Sequence, residues 1–134
     1  MAANEYGVTA ATMPQWFPTA IPFASSARVD STLVASIVTS VAGDIQAALY
    51  ESCPNDSEIT ATTAPIAYAW LGKTLALGTA IRIMESVDVG ADGTLSAWRD
   101  EFAERMRTLR DKPRAVLADL ASFRPKSRTV SLWR

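Results

Sequence analysis

The stretch DSTLVASIVTSVAGDIQAALY, residues 30–50, predicts the fold of this chain more clearly than any other segment. Its larger apolar residues recur at the three- and four-residue spacing of one helical face, which is typical of a helix packed on a core. These residues are Leu33, Val34, Ile37, Val38, Val41, Ile45, Ala48 and Leu49. Asp30 or Ser31 stands at the expected N-cap, where a side-chain oxygen accepts a hydrogen bond from a free helix amide. The sequence therefore predicts an amphipathic helix that ends near Tyr50, because the turn-rich ESCPNDSE follows.

A second helix is predicted downstream. It begins near residues 62–63, with Pro65 tolerated in its first turn, and runs to about Ser86. Apolar residues occur on nearly every side of it, so this helix is buried on several sides or spans a membrane. Lys73 and Arg82 fall inside it and make a membrane span costly. The sequence therefore favours a central buried helix.

Glycine occurs twice inside this second helix, at Gly72 and Gly78. Because glycine weakens a helix, we interpret both positions as places where another backbone comes close.

A third helix is predicted from about Leu95 to Arg110, after the turn VDVGADGT. Its apolar residues form a narrow stripe, and charged residues occupy the rest of its surface. The stripe consists of Leu95, Trp98, Phe102, Met106 and Leu109. Lys112 and Pro113 end this helix, and Pro113 begins a short fourth one, PRAVLADLA.

The sequence divides into an N-terminal arm (1–29), a helical bundle domain (30–122) and a C-terminal docking tail (123–134). The arm is irregular because three prolines interrupt it, yet its aromatic residues indicate an ordered segment. We expect it to lie over a hydrophobic surface of this chain or of a neighbour. The tail is predicted to be non-helical, either extended or with a strand over 129–133. The predicted fold class is thus an all-α bundle of three to four helices with an extended arm and a non-helical tail.

The charge is distributed unevenly, although the net charge is only −1. Residues 1–92 carry three basic and nine acidic side chains, whereas the remainder carries ten basic and five acidic ones. Such a dipolar chain indicates that its two ends bind different partners, or meet each other in neighbouring copies. A solvated, unevenly charged surface is the alternative.

The residues needed for common catalytic and metal sites are missing from the sequence. There is no histidine, which removes every Ser-His or Cys-His nucleophile and the commonest metal ligand. The single cysteine, Cys53, excludes an internal disulfide and is interpreted as structural. The loop from Asp88 begins like an EF-hand, but Gly90 and Arg99 occupy ligand positions and cannot serve there. We predict no enzymatic activity, no cofactor and no metal.

The basic tail is the clearest candidate for binding. The tail is suited to a nucleic-acid strand through the charges of Arg124, Lys126, Arg128 and Arg134 and the stacking of Phe123 and Trp133. The same residues are equally suited to an acidic groove of a protein.

The order of these parts resembles the small head–tail connector (adaptor) proteins of tailed bacteriophages. The likeness covers residues 28–134. It consists of the capped amphipathic helix quoted above, a mostly apolar helix (APIAYAWLGKTLALGTAIRIM), an aromatic- and charge-rich helix (LSAWRDEFAERMRTL) and a non-helical tail. The N-terminal arm is longer than the usual form of that family.

The resemblance implies a structural virion protein whose copies form a ring, commonly of twelve, between the portal and a stopper or tail-completion protein. DNA would pass through the ring without specific binding, and no membrane is implied. The protein would lie in the host cytoplasm before assembly and in the virion neck afterwards. The tail would dock on the portal through Phe123, Arg124, Lys126, Arg128, Val130, Leu132, Trp133 and Arg134. The alternative is a small helical nucleic-acid-associated or regulatory protein that uses the same basic tail.

Overall fold

The chain is analysed in a computed structural model, which describes residues 4–9, 12–13, 31–50, 53, 56–87 and 94–120. No strand occurs among these residues, and the predicted all-α bundle of three to four helices is confirmed there. The helices are α1 (Ser31–Leu49), α2 (Pro65–Val87), α3 (Thr94–Asp111) and the short α4 (Pro113–Leu117), with a 3₁₀ helix at Asp56–Glu58. The proposed N-cap Asp30, the loop 88–93 and the strand at 129–133 lie outside the described residues.

The start of α2 differs from the prediction, because the helix begins at Pro65 and not at residues 62–63. The preceding threonines form a hydrogen-bonded turn instead. The Thr63 amide donates to Oγ1 of Thr60 (3.0 Å), and the Thr63 hydroxyl donates to the carbonyl of Glu58 (2.6 Å). Threonine side chains that bond nearby backbone groups compete with helix formation. Proline then opens the helix at the position where its missing N–H costs least.

Helix α2 supplies the centre of the core. The three long helices pack against one another, and α4 packs against α2 and α3. In α1 and α3 the buried residues follow the three/four spacing expected of a packed face, whereas α2 is buried on nearly every side from Leu71 to Met84. Fully buried side chains of α1, α2 and the C-terminal elements include Val34, Ile45, Leu49, Leu71, Leu75, Ile83, Leu109 and Leu117.

The apolar stripe of α3 is buried only towards its C-terminal end. Met106 and Leu109 are buried, whereas Leu95, Trp98 and Phe102 are partly exposed. Helix α3 lies at the outside of the bundle, and large rings on an outer helix retain one face in solvent. Trp98 and Phe102 still pack against the core with their inner faces.

Gly78 contacts side chains, which corrects the prediction that another backbone comes close. A Cβ added at Gly78 would lie 2.7 Å from Cε1 of Phe102 and 2.8 Å from Cγ1 of Val41. Real Cβ atoms essentially never approach so closely. The position is therefore the point where α1, α2 and α3 come together.

Helices α2 and α3 run antiparallel and are joined by Arg105. Arg99 of α3 pairs with Glu85 near the end of α2, while Arg105 reaches Thr74 earlier in α2. The Arg105 guanidinium lies 4.7 Å from the centre of the Trp70 ring and donates to the Thr74 hydroxyl at 3.1 Å. Its Nε also donates to Glu101 at 3.2 Å, and its side chain is only 16% exposed. Stacking on Trp70 and the hydrogen bond to Thr74 thus stabilise the interface between α2 and α3, and the ion pair with Glu101 orients Arg105 within α3.

The first described residues of the arm belong to the core of this chain. Residues 4–9 and 12–13, called the N-terminal strap below, place Tyr6, Val8 and Met13 in the same hydrophobic cluster as the helices. Tyr6 packs edge-on against Tyr68 of α2, with ring centres 6.1 Å apart. The strap therefore covers part of this chain's own bundle, and the remaining arm residues at 10–11 and 14–29 are outside the described part.

Within the described residues, only α1 is long and apolar enough to cross a membrane, judged by length and composition. The window Thr32–Leu49 has a mean hydropathy of 1.4, and 33% of it is buried. Core helices of soluble proteins meet the same criteria, and α1 packs through a buried valine and isoleucine face. The sequence argument had placed the membrane question on α2 instead.

Candidate partner-binding surface

All eight predicted docking residues, Phe123 to Arg134, lie outside the described part of the chain. The structure does define the point from which the tail departs. Leu120, the last described residue, is buried, and Asp119 beside it binds the start of α2. The last described residues therefore lie at the N-terminal end of α2, next to Ile66, which is 69% exposed.

Asp119 caps α2 from another part of the chain. Its Oδ2 accepts the amide of Ile66 at 2.8 Å, and its Oδ1 accepts the amide of Ala67 at 3.2 Å. Both amides belong to the first turn of α2, where helix N–H groups have no partner within the helix. A negative charge there is also favoured by the helix dipole. The carboxylate thus fixes the end of α4 against the start of α2.

Removing this cap is expected to destabilise the bundle. Asp119→Ala should lower the free energy of unfolding by about 1–2 kcal/mol, the usual cost of losing a helix cap. Asp119→Asn should retain most of the stability, because its amide oxygen still accepts a hydrogen bond. The matched control is Asp111→Ala, an exposed acid at the end of α3, which we expect to change stability by less than about 0.5 kcal/mol. Urea denaturation of the three variants measures the difference, and equal losses for both alanine variants would contradict the capping role.

The outward face of α1 carries little charge. Asp44 is the only ionisable residue of this helix, and it pairs with Arg82 of α2 at 2.7 Å. The exposed positions are otherwise small or hydroxylated: Thr32, Ala35, Ser36, Thr39, Ser40, Gly43 and Ala47. Outward faces of helices in soluble domains usually carry charged residues. This face shares with the core of a protein interface its depletion of charge.

A shallow, open groove of about 630 Å³ lies between α1 and α3. Ala47 and Ala48 form its α1 side, and Phe102 and Met106 form much of its α3 side. Arg107 and Arg110 stand at its margin, with Asp44 opposite. The groove is mainly apolar with a polar border, which is the general composition of a protein-binding cleft.

The arginines of α3 are largely occupied within the chain. Arg99 pairs with Glu85, Arg105 with Glu101, and Arg107 with Glu104. Paired arginines have less free charge for phosphate groups, because a carboxylate already lies beside each of them. The described surface of α3 therefore offers little positive field for nucleic acid.

The buried polar residues of the described part are structural in their contacts. Asp56, 1% exposed, accepts the Asn4 amide at 3.0 Å and the Gln46 side chain at 3.3 Å. Burial raises the pKa of the Tyr6 hydroxyl far above its ordinary value, and the charges of Asp56 and Cys53 raise it further. Cys53 itself is buried. No group of three or more acidic, cysteine or histidine side chains in the described ranges is arranged to hold a metal ion.

No protein-family model, curated protein or solved structure matches this chain. The functional argument therefore depends on the fold and its surfaces.

Sequence reasoning had not identified the outward face of α1, the groove or the Asp119 cap. The outward face of α1 could have been identified from the sequence, because a helix of 19 residues with a single charged side chain is unusual. The cap was not, because Asp119 lies 53 residues from Ile66 and only folding brings them together.

Proposed function

We propose that this chain is a structural virion protein, a head–tail connector whose copies form a ring between the portal and the downstream neck or tail proteins. The observation that carries the proposal is the outward face of α1, whose exposed side chains are small or hydroxylated apart from Asp44, in a chain whose order of helices resembles that of the connectors. A second subunit can approach such a face closely with few charges to desolvate, and identical subunits of a ring would make that contact.

The outward face of α1 and the α3 side of the groove are consistent with the geometry of a ring. A ring subunit contacts its two neighbours through different flanks, so it needs two distinct surfaces. The small side chains of α1, such as Ala35 and Ser36, allow another helix to approach closely. The α3 side of the groove, with Phe102 and Met106, offers a second surface, which borders this face at Asp44 and Ala47.

The tail is proposed to dock on the portal through the eight residues from Phe123 to Arg134. Its attachment point supports this role, because Asp119 and Leu120 hold the end of the bundle firmly while the basic residues follow. Arginine and aromatic side chains are the commonest hot spots of protein interfaces. DNA would pass without specific binding, in keeping with the intramolecular pairs of the α3 arginines.

Deleting residues 123–134 is expected to abolish portal binding and leave the bundle folded. The experiment is a tagged pull-down from virion-producing cells, comparing the full chain with a version that ends at Ser122. Mass spectrometry should find a portal or tail protein with the full chain only. Helical content and the melting temperature should be nearly equal for both, since Leu120 and Asp119 remain. Recovery of nucleic acid in a salt-sensitive manner, without virion proteins, would support the nucleic-acid-associated alternative instead.

A charge on the outward face of α1 is expected to block ring formation. Ala35→Glu places a carboxylate on that face, where a neighbouring subunit would have to desolvate it at a cost of several kcal/mol. Ala97→Glu is the matched control, because Ala97 is an exposed alanine on the charged helix α3. Native mass spectrometry with the captured portal should show rings for the wild type and the control, and monomers for Ala35→Glu. Intact rings of the Ala35→Glu variant would exclude α1 as the subunit contact.

A further inference from the structure

Two features of Tyr6 reduce the stability of the N-terminal strap in its folded position. Tyr6 adopts φ = 51°, in the left-handed region that side chains other than glycine rarely occupy. Its hydroxyl is buried and has no hydrogen-bond partner in the described part of the chain. A buried polar atom without a partner loses its hydration and gains nothing in return. Both costs disappear when the strap leaves the bundle.

The surroundings of Tyr6 keep its unpartnered hydroxyl in the protonated form. Burial raises the pKa of the hydroxyl, and the nearby charges of Asp56 and Cys53 act in the same direction. The group therefore stays protonated at every physiological pH, and ionisation offers it no relief. The following residue, Gly7, has φ = 78°, and a Cβ there would lie 2.8 Å from the Tyr68 hydroxyl. The strap thus fits its site only with this unusual backbone.

Asn4 makes most of the hydrogen bonds that hold the strap on the bundle. The Asn4 backbone amide donates to Oδ2 of Asp56 at 3.0 Å. Its side-chain amide donates to the carbonyls of Asp56 and Ile59, both at 2.8 Å. Asn4 also accepts the Tyr6 amide at 2.9 Å, so it organises the strap itself. The strap is joined to α1 by one further bond, from the Thr39 hydroxyl to Glu5 at 3.1 Å.

We infer that the strap opens on its own while the helical bundle stays folded. It is a releasable cover, held by Asn4 and by the burial of Tyr6, Val8 and Met13, and opposed by the left-handed backbone and the unpartnered hydroxyl of Tyr6. Strain confined to one segment lowers the free energy of opening that segment below the free energy of global unfolding. Opening uncovers the apolar surface beneath Tyr6, Val8 and Met13, together with Tyr68 of α2. This opening is independent of the function proposed above.

Cys53 provides a reporter for this opening, because it is the only cysteine of the chain and lies buried near Tyr6. The experiment measures the rate at which a thiol reagent, DTNB, labels the full-length chain in native buffer and in low concentrations of urea. Labelling through strap opening should hardly depend on urea, because a local opening exposes little surface. Labelling through global unfolding would accelerate steeply with urea.

Two variants act on the strap in opposite directions. Asn4→Ala removes the side-chain fastening, and labelling should become about tenfold faster or more with no gain in urea dependence. Tyr6→Phe removes the unpartnered hydroxyl, and labelling should become about fivefold slower or more. Leu109→Ala is the control, since it shortens a buried side chain of α3 and should accelerate labelling only through global unfolding.

Three outcomes would overturn the inference. The first is wild-type labelling with the full urea dependence of global unfolding. The second is faster labelling of Tyr6→Phe, which would mean that the hydroxyl fastens the strap. The third is an Asn4→Ala variant that labels at the wild-type rate, or with the urea dependence of Leu109→Ala.

Discussion

Replacing Gly78 with leucine is expected to lower the free energy of unfolding by about 3 kcal/mol and the melting temperature by about 10 °C. The added side chain has no space, because even its Cβ would lie within 3 Å of Phe102 and Val41. These residues belong to α3 and α1, so the insertion pushes on both neighbours of α2. The gain in helix propensity over glycine, about 1 kcal/mol, is too small to compensate. Thermal unfolding followed by circular dichroism measures the effect.

Gly43 supplies a matched control within the same fold. It is also a helical glycine, but a Cβ added there would meet nothing within 4 Å. Gly43→Leu in the isolated chain should therefore be neutral or stabilising by up to about 1 kcal/mol, through helix propensity alone. The opposite signs of the two substitutions are the specific expectation. If Gly78→Leu melted at or above the wild-type temperature, the three helices would not meet at Gly78 as described.

Replacing Arg105 with alanine is expected to lower the free energy of unfolding by about 2–3 kcal/mol, because the stacking on Trp70 and the hydrogen bonds are lost. The guanidinium lies over the ring and bonds the Thr74 hydroxyl in a nearly solvent-free position. Arg105→Lys should recover only part of the loss, because an ammonium group cannot stack and bond in the same geometry. Urea denaturation at low and at high salt measures the free energy of unfolding of the wild type, Arg105→Ala and Arg105→Lys.

Arg107 is the control, since it lies on the same helix and also forms an ion pair. Its side chain is 59% exposed, and its partner Glu104 is 66% exposed. Exposed pairs contribute little, so Arg107→Ala should cost less than about 0.5 kcal/mol. Similar losses for Arg105→Ala and Arg107→Ala would show that the stacked position of Arg105 contributes nothing beyond an ordinary surface pair.

Periodic apolar spacing predicted the ends of α1 and α3 to within one residue. Helix α1 ends at Leu49, one residue before the predicted Tyr50, and α3 extends one residue beyond each predicted end. The identity of α2 as the central helix was also predictable, because apolar residues surround it. Its start was not, since the choice between a threonine turn and a helical turn depended on bonds to Glu58.

The candidate surface was predictable only in its composition. A helix with one charged residue in 19 indicates an unusual outward face, but the sequence alone does not say which side is outward. The groove requires two helices to lie side by side, so neither helix predicts it alone. The predicted docking tail remains a prediction, and the structure adds the position of its attachment beside Asp119 and Ile66.

The sequence by itself determined what each segment does locally. Apolar spacing specifies α1, α2 and α3, and the proline at 113 specifies where α4 begins. These features act between residues a few positions apart, where covalent geometry settles which groups meet. The tertiary structure alone decided the Asp119 cap, the Arg105 stack on Trp70 and the burial of Tyr6. Each joins residues more than 30 positions apart. Such contacts form only when the free energy gained by packing exceeds the entropic cost of closing a long loop.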